Sequence, residues 1–182
     1  MLKLSDNPPV SWPEGKSICG FPGQWWVAHT KSRNEKALAG DLIRRDIGYF
    51  LPMCWKIRRQ KGRIIRSLLP LFSGYLFFCG NEKHRIELLR TNRVANLIEV
   101  KDQNKLIKEL SQIELALKTG ADLVPHKYLS AGQRCRVTAG AMTDLQGIVI
   151  KTKGAARLVL QIDMLGQATS VEIDVDMIEI IE

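Results

Sequence analysis

Leu69-Pro70-Leu71-Phe72-Ser73-Gly74-Tyr75-Leu76-Phe77-Phe78 is the stretch on which the reading of this chain turns. Pro70 and the Ser73-Gly74 pair interrupt an otherwise apolar run, because proline lacks a ladder donor and glycine tolerates turn geometry. The run therefore reads as the end of one strand, residues 64–69, and the start of another, residues 74–79. A strand sends successive side chains to opposite faces, so Phe72 and Phe78 need not share the face of Tyr75 and Phe77. Some of these aromatics must be core. Just upstream, residues 56–66 (KIRRQKGRIIR) place six basic residues around Gly62, the pattern of a hairpin with a charged tip. Residues 49–58 also have strand character, and Pro52 within them argues for an edge or a bulge.

Further outward, residues 24–30 (QWWVAHT) are aromatic and β-branched and read as a strand. Ser32-Arg33-Asn34-Glu35 has the spacing of a capping box that opens a helix. Ala37, Leu38, Leu42 and Ile43 supply its apolar stripe, and Gly48 is its expected stop. Residues 83–90 read as a short helix and 94–100 as a strand. Asp102 is placed to cap a longer helix carrying Leu106, Ile107, Leu110, Ile113 and Leu117 at helical spacing. This order predicts an α+β domain over residues 24–118, with helices packed on a mainly antiparallel sheet. Residues 119–128 lose the helical pattern and read as a linker. Beyond it, residues 134–138, 147–151, 157–163, 170–175 and 178–181 are short strand-like runs between turn signals. Five such strands in residues 129–182 predict a small β-barrel, since closure removes exposed edges. Residues 1–23 read as a flexible leader.

The net charge of +8 is unevenly spread. Residues 24–118 hold 19 Lys and Arg against 9 Asp and Glu, whereas residues 119–182 hold 6 against 8. The front half is therefore the candidate for nucleic acid, to which attraction is long-ranged and electrostatic. No segment approaches the roughly 20 apolar residues that span a bilayer, so no membrane partner is expected. Cys19, Cys54, Cys79 and Cys135 are scattered, and His29, His84 and His126 do not cluster with them. Zinc ligands need short fixed spacings and disulfide scaffolds are denser, so reduced thiols, no metal and a cytoplasmic setting are expected. Gly15-Lys16-Ser17 is similar to the end of a phosphate-binding loop, but Val10 stands where that motif needs glycine and no strand precedes it. Neither an enzyme nor a cofactor is expected.

Residues 69–78 resemble the Leu-Phe-Pro-Gly-Tyr-Val core of the NusG amino-terminal domain. Gly132-Gln133-Arg134-Cys135-Arg136-Val137-Thr138-Ala139-Gly140, followed by Asp144-Leu145-Gln146-Gly147-Ile148-Val149, resembles the KOW motif. Trp25-Trp26-Val27, Phe50-Leu51-Pro52 and the basic hairpin fit the same pairing. The resemblance implies a NusG amino-terminal domain followed by an SH3-like five-stranded KOW barrel, acting as a monomer. It implies docking on the clamp helices of the largest RNA polymerase subunit through Phe72, Tyr75 and Phe77, with Trp26 as a neighbour. It implies that His84 and Arg85 meet the opposite wall of the polymerase cleft. Arg58, Arg59, Lys61, Arg63 and Arg66 would then lie near upstream or non-template DNA. The barrel would recruit a small-subunit ribosomal protein or Rho through Met164, Leu165 and Gly166. Gly140 and Gly147 are expected where the KOW motif needs tight turns or close backbone approach.

Two departures from the family pattern matter. Ser73 stands where proline is usual, implying a looser turn before Tyr75. Leu165 replaces an aromatic of general elongation factors, which weakens the case for Rho more than that for the ribosome. The basic hairpin and the Phe-Leu-Pro strand resemble specialised, RfaH-like antiterminators. The housekeeping NusG role and a KOW-containing ribosomal RNA-binding protein are the alternatives. The β-branched content of the C-terminal part (Val149, Ile150, Val159, Ile162, Val171, Ile173) predicts strands and no stable helical form there.

Overall fold

The computed structural model describes residues 6–60, 62–129, 132–152 and 155–181. The architecture is mixed α and β, with antiparallel sheets and three α-helices among the described residues. The chain divides into two compact units, Met1–Ile107 and Lys108–Glu182. The division falls inside a helix, ahead of the 119–128 segment read as linker.

The first unit contains β1 (Ser11–Trp12), β2 (Gln24–Thr30), α1 (Glu35–Ile43), β3 (Gly48–Phe50), β4 (Met53–Gln60), β5 (Arg63–Pro70), β6 (Tyr75–Gly80), α2 (Glu82–Arg90), β7 (Val94–Glu99) and the start of α3 (Gln103–Lys118). Its main sheet has the order β1-β3-β6-β2-β7, every pair antiparallel. Trp26, Ala28, Leu76, Phe78 and Tyr49 on one side form one cluster with Leu38 and Leu42 of α1 and Leu88 of α2. Trp25, Val27, Phe50 and Phe77, on the alternate positions, are buried as well. Apolar side chains on both faces of β2 and β6 explain their near-continuous hydrophobic sequence; each fully buried large residue is worth about 1.5–3 kcal/mol. β4 and β5 leave this sheet and pair only with each other. Leu51-Pro52 separates β3 from β4, so the single strand expected over residues 49–58 is two.

Both ends of α1 differ from the expectation. Glu35 does not close a capping box; no side chain caps the helix, and Glu35 is 5% exposed and accepts from the Gly74 amide at 2.7 Å. Gly48 is not the stop, since it lies within β3. The helix ends at a Schellman-type turn in which Asp46 takes the left-handed conformation (φ 54°). Asp46 N donates to Ile43 O at 3.1 Å and Ile47 N to Leu42 O at 3.0 Å, with Leu42 and Ile47 both fully buried.

The leader also differs from its expectation. Ser11 and Trp12 pair with Phe50 and Tyr49. Leu51 N donates to Val10 O at 2.7 Å, the Tyr49 hydroxyl to Pro9 O at 2.9 Å, and Ile18 is 1% exposed. Within residues 6–23, Ser11–Trp12 therefore extend the sheet edge and Ile18 is buried. Composition hid this because a two-residue strand carries no alternation to detect.

The second unit holds the rest of α3 and β8 (Val124–His126), β9 (Gln133–Val137), β10 (Gln146–Thr152), β11 (Ala155–Ile162), β12 (Gln167–Ile173) and β13 (Ile178–Ile180). They form one antiparallel sheet in the order β13-β9-β10-β11-β12-β8. Cys135, Val137, Leu158, Leu160, Ile162, Val171 and Ile173 are buried in it. β8 lies inside the stretch read as linker and is tied to β12, where Thr169 Oγ1 donates to Val124 O at 2.8 Å. Gly140 is a turn residue with φ 83°. Gly147 is not in a turn: it lies within β10, where an added Cβ would sit 2.5 Å from Val159 O, so close backbone approach is what requires glycine there.

Candidate functional site

The β2–β6 register sets His29 opposite Tyr75, and residues directly opposite share a face. Their rings stack with centroids 5.1 Å apart and planes at 25°. His29 is exposed and Tyr75 half-buried. The same row continues inward through Val27 opposite Phe77 and Trp25 opposite Cys79, all buried. Phe72 meets Phe77 edge-on at 6.3 Å and is 2% exposed. Trp26 projects to the other face, stacks on Phe78 at 6.3 Å and carries the Arg85 guanidinium 5.9 Å from its ring centre.

Of the four aromatics expected at a docking surface, Tyr75 is therefore the one that meets solvent substantially. Trp26, Phe72 and Phe77 are core and hold the strand from which Tyr75 projects. His29 was missed. Alternation groups position 29 with Trp25 and Val27, but it is the β2–β6 register that sets this row on the face of Tyr75. The turn before Tyr75, expected to be loose at Ser73, is held from three directions. Gly74 N donates to Glu35, Thr30 N donates to Gly74 O at 2.8 Å, and Tyr75 N donates to Phe72 O at 3.1 Å.

His84 and Arg85 lie in the first turn of α2. His84 completes a capping box with Asn81: its amide donates to Asn81 Oδ1 at 3.1 Å, and its Nδ1 accepts from Asn81 N at 3.4 Å. Arg85 bonds Glu82 at 2.6 Å. That bond holds the Glu82 carboxyl below its ordinary range and raises the Arg85 guanidinium. Both residues thus have structural duties at this helix start.

The β4–β5 hairpin turns at Gly62 (φ 73°). Arg58, Arg59, Arg63 and Arg66 are all exposed on it, while Lys61 lies outside the described residues. No Asp or Glu occurs between residues 53 and 70. In the second unit, residues Asp163–Leu165 form a short 3-10 turn closed by Gly166 in the left-handed conformation (φ 59°). Met164 is exposed there and Leu165 half-buried. Among the described residues, no three His, Cys, Asp or Glu side chains are grouped to hold a metal ion, and no helix is long and apolar enough to cross a membrane.

An aromatic pair at the sheet surface and a carboxylate-free basic hairpin in the same unit are the equipment of a binding domain. The NusG family model, described as transcription termination factor nusG, matches residues 23–116, half of the chain and slightly more. The chain belongs to the NusG family, whose members are non-enzymatic transcription elongation and termination factors that typically bind RNA polymerase. No curated protein matches the chain.

Proposed function

We propose that this protein binds RNA polymerase across its clamp and suppresses pausing or termination, as a specialised, RfaH-like member of its family. The observation that carries the reading is the His29–Tyr75 stack, a partly solvent-facing aromatic pair whose tyrosine follows a turn fixed by a buried carboxylate. Aromatic side chains bury large area at low entropic cost, and a pre-set turn lowers the ordering cost of docking. The Arg58, Arg59, Arg63 and Arg66 side chains supply positive charge for upstream or non-template DNA. A domain that binds the closed clamp better than the open one shifts the polymerase toward elongation by that difference in affinity. The second unit, as an SH3-like KOW barrel with Met164, Leu165 and Gly166 at one turn, recruits a further partner, a small-subunit ribosomal protein or Rho. The test is single-round transcription by purified core polymerase on a template with a defined pause. Shorter pause dwell on adding the protein, reversed with Tyr75→Ala, supports the reading. Unchanged dwell at saturating protein removes it.

A further inference from the structure

The β4–β5 hairpin has two unlike faces. The register pairs Trp55 with Leu68, Ile57 with Arg66 and Arg59 with Ile64, which places these six side chains on one face. Lys56, Arg58, Gln60, Arg63, Ile65 and Ser67 fall on the other. At the base of the first face, Met53 belongs to the core cluster and Leu68 packs against it. Toward the tip the same face leaves the core and carries three exposed apolar side chains alongside Arg59 and Arg66: Trp55 is 47% exposed, Ile57 62% and Ile64 60%. Strand propensity accounts for β-branched and aromatic residues here but not for turning all three to water on one face, and exposed apolar side chains gathered in this way mark an interaction surface.

We propose that the Trp55–Ile57–Ile64 face of the hairpin docks a protein segment that is acidic and apolar on one side, while the opposite face meets nucleic acid. The assignment deepens the function proposed above: it rests on that reading for the nucleic-acid side, which keeps Arg58 and Arg63, and gives Arg59 and Arg66 to the protein side. Charge fixes the sign of the partner, because Arg59 and Arg66 flank the isoleucines and residues 53–70 contain no carboxylate. Side-chain chemistry fixes its kind. Platforms for unpaired bases are built from successive aromatic rings, whereas this face has one aromatic and two aliphatic side chains with no π surface. Tryptophan, aliphatics and interleaved arginine are the composition of a protein–protein interface core. The other face, with Lys56, Arg58, Gln60 and Arg63, carries donors suited to phosphate, beside Ile65 and the 37%-exposed Leu69 at its base.

Ile57 and Ile64 are exposed, so Ile57→Ser with Ile64→Ser is expected to leave the core intact, which circular dichroism checks, and isolates the surface. The full-length chain, this double variant, an Arg58→Ala/Arg63→Ala variant and Tyr75→Ala are each titrated with three probes: core polymerase free of nucleic acid, labelled DNA alone, and a short peptide of Glu with Leu at helical spacing. The double Ile variant is expected to bind polymerase and peptide at least roughly fivefold more weakly, with DNA affinity unchanged. The Arg58→Ala/Arg63→Ala variant is expected to lose DNA affinity. Loss of DNA affinity in the Ile variant would make nucleic acid the occupant and overturn the proposal. So would unchanged binding of both protein probes. Polymerase binding lost with Tyr75→Ala but kept in the Ile variant, with no peptide effect, would leave the proposed function standing and remove this face from it. Peptide binding that depends on Ile57 and Ile64, without any polymerase binding by the wild-type chain, would support the face and sink the polymerase reading.

Discussion

Tyr75 is presented by a turn whose Gly74 amide is held by Glu35, a residue 39 positions earlier in the chain. Removing that acceptor leaves a partly buried donor without its partner, a loss of about 1–3 kcal/mol. Glu35→Ala should therefore lower stability to urea by an amount of that order, and Glu35→Gln, which keeps a carbonyl acceptor, by less. Equal midpoints for Glu35→Ala and the parent would show that the bond stabilises nothing. Cys79 makes a second residue-level claim. Burial pushes its thiol up to about 11, against the opposing charge of Lys16, and its Sγ donates to Pro22 O at 3.3 Å. The folded state favours the protonated form, so this stabilisation is complete below the ordinary thiol value and is lost as pH rises toward about 11. At pH 8 a thiol reagent should label the exposed Cys19 well ahead of Cys79, because the thiolate is the nucleophile. Comparable labelling rates for the two in the native protein would contradict the burial of Cys79.

At the scale of elements, the hairpin is where charge is most concentrated, and the DNA-facing role proposed for it has a salt signature. Each phosphate contact removed should reduce the slope of log affinity against log salt by about 1 on duplex DNA. Arg58→Ala with Arg63→Ala should therefore flatten that slope by about 2, while a slope equal to the parent's would place the contacts elsewhere. This hairpin was legible in the sequence because a turn glycine sits between two runs of basic and β-branched residues. β2, β6, α2 and α3 were legible for similar reasons, having either continuous apolar strands or apolar positions at helical spacing. β1 and β8 were not, since two or three residues are too few for a period and their pairing comes from Tyr49, Phe50 and Thr169 far along the chain. The end of α1 misled because Asp46 occupies the left-handed position usually given to glycine. The candidate site was legible only in part. Alternation could not say how far along its row burial extends, so Phe77, on the face of Tyr75, passed for surface, as did Phe72 in the turn before β6, and His29 became visible only through the register with Tyr75.

For the whole molecule, the asymmetry of charge follows the division of the chain. The basic hairpin and the Tyr75 face both belong to the unit Met1–Ile107, and the unit Lys108–Glu182 carries the separate antiparallel sheet. The family match over residues 23–116 falls on the first of these and on α3. The central claim is that this first unit engages RNA polymerase through the exposed end of its aromatic row. Its most direct test is the affinity of the purified full-length chain for core RNA polymerase, measured beside Tyr75→Ala with circular dichroism confirming that the variant is folded. The account predicts binding by the parent and a loss of about tenfold in the variant, in the range of an interface hot spot. Equal affinity of the two proteins would contradict it.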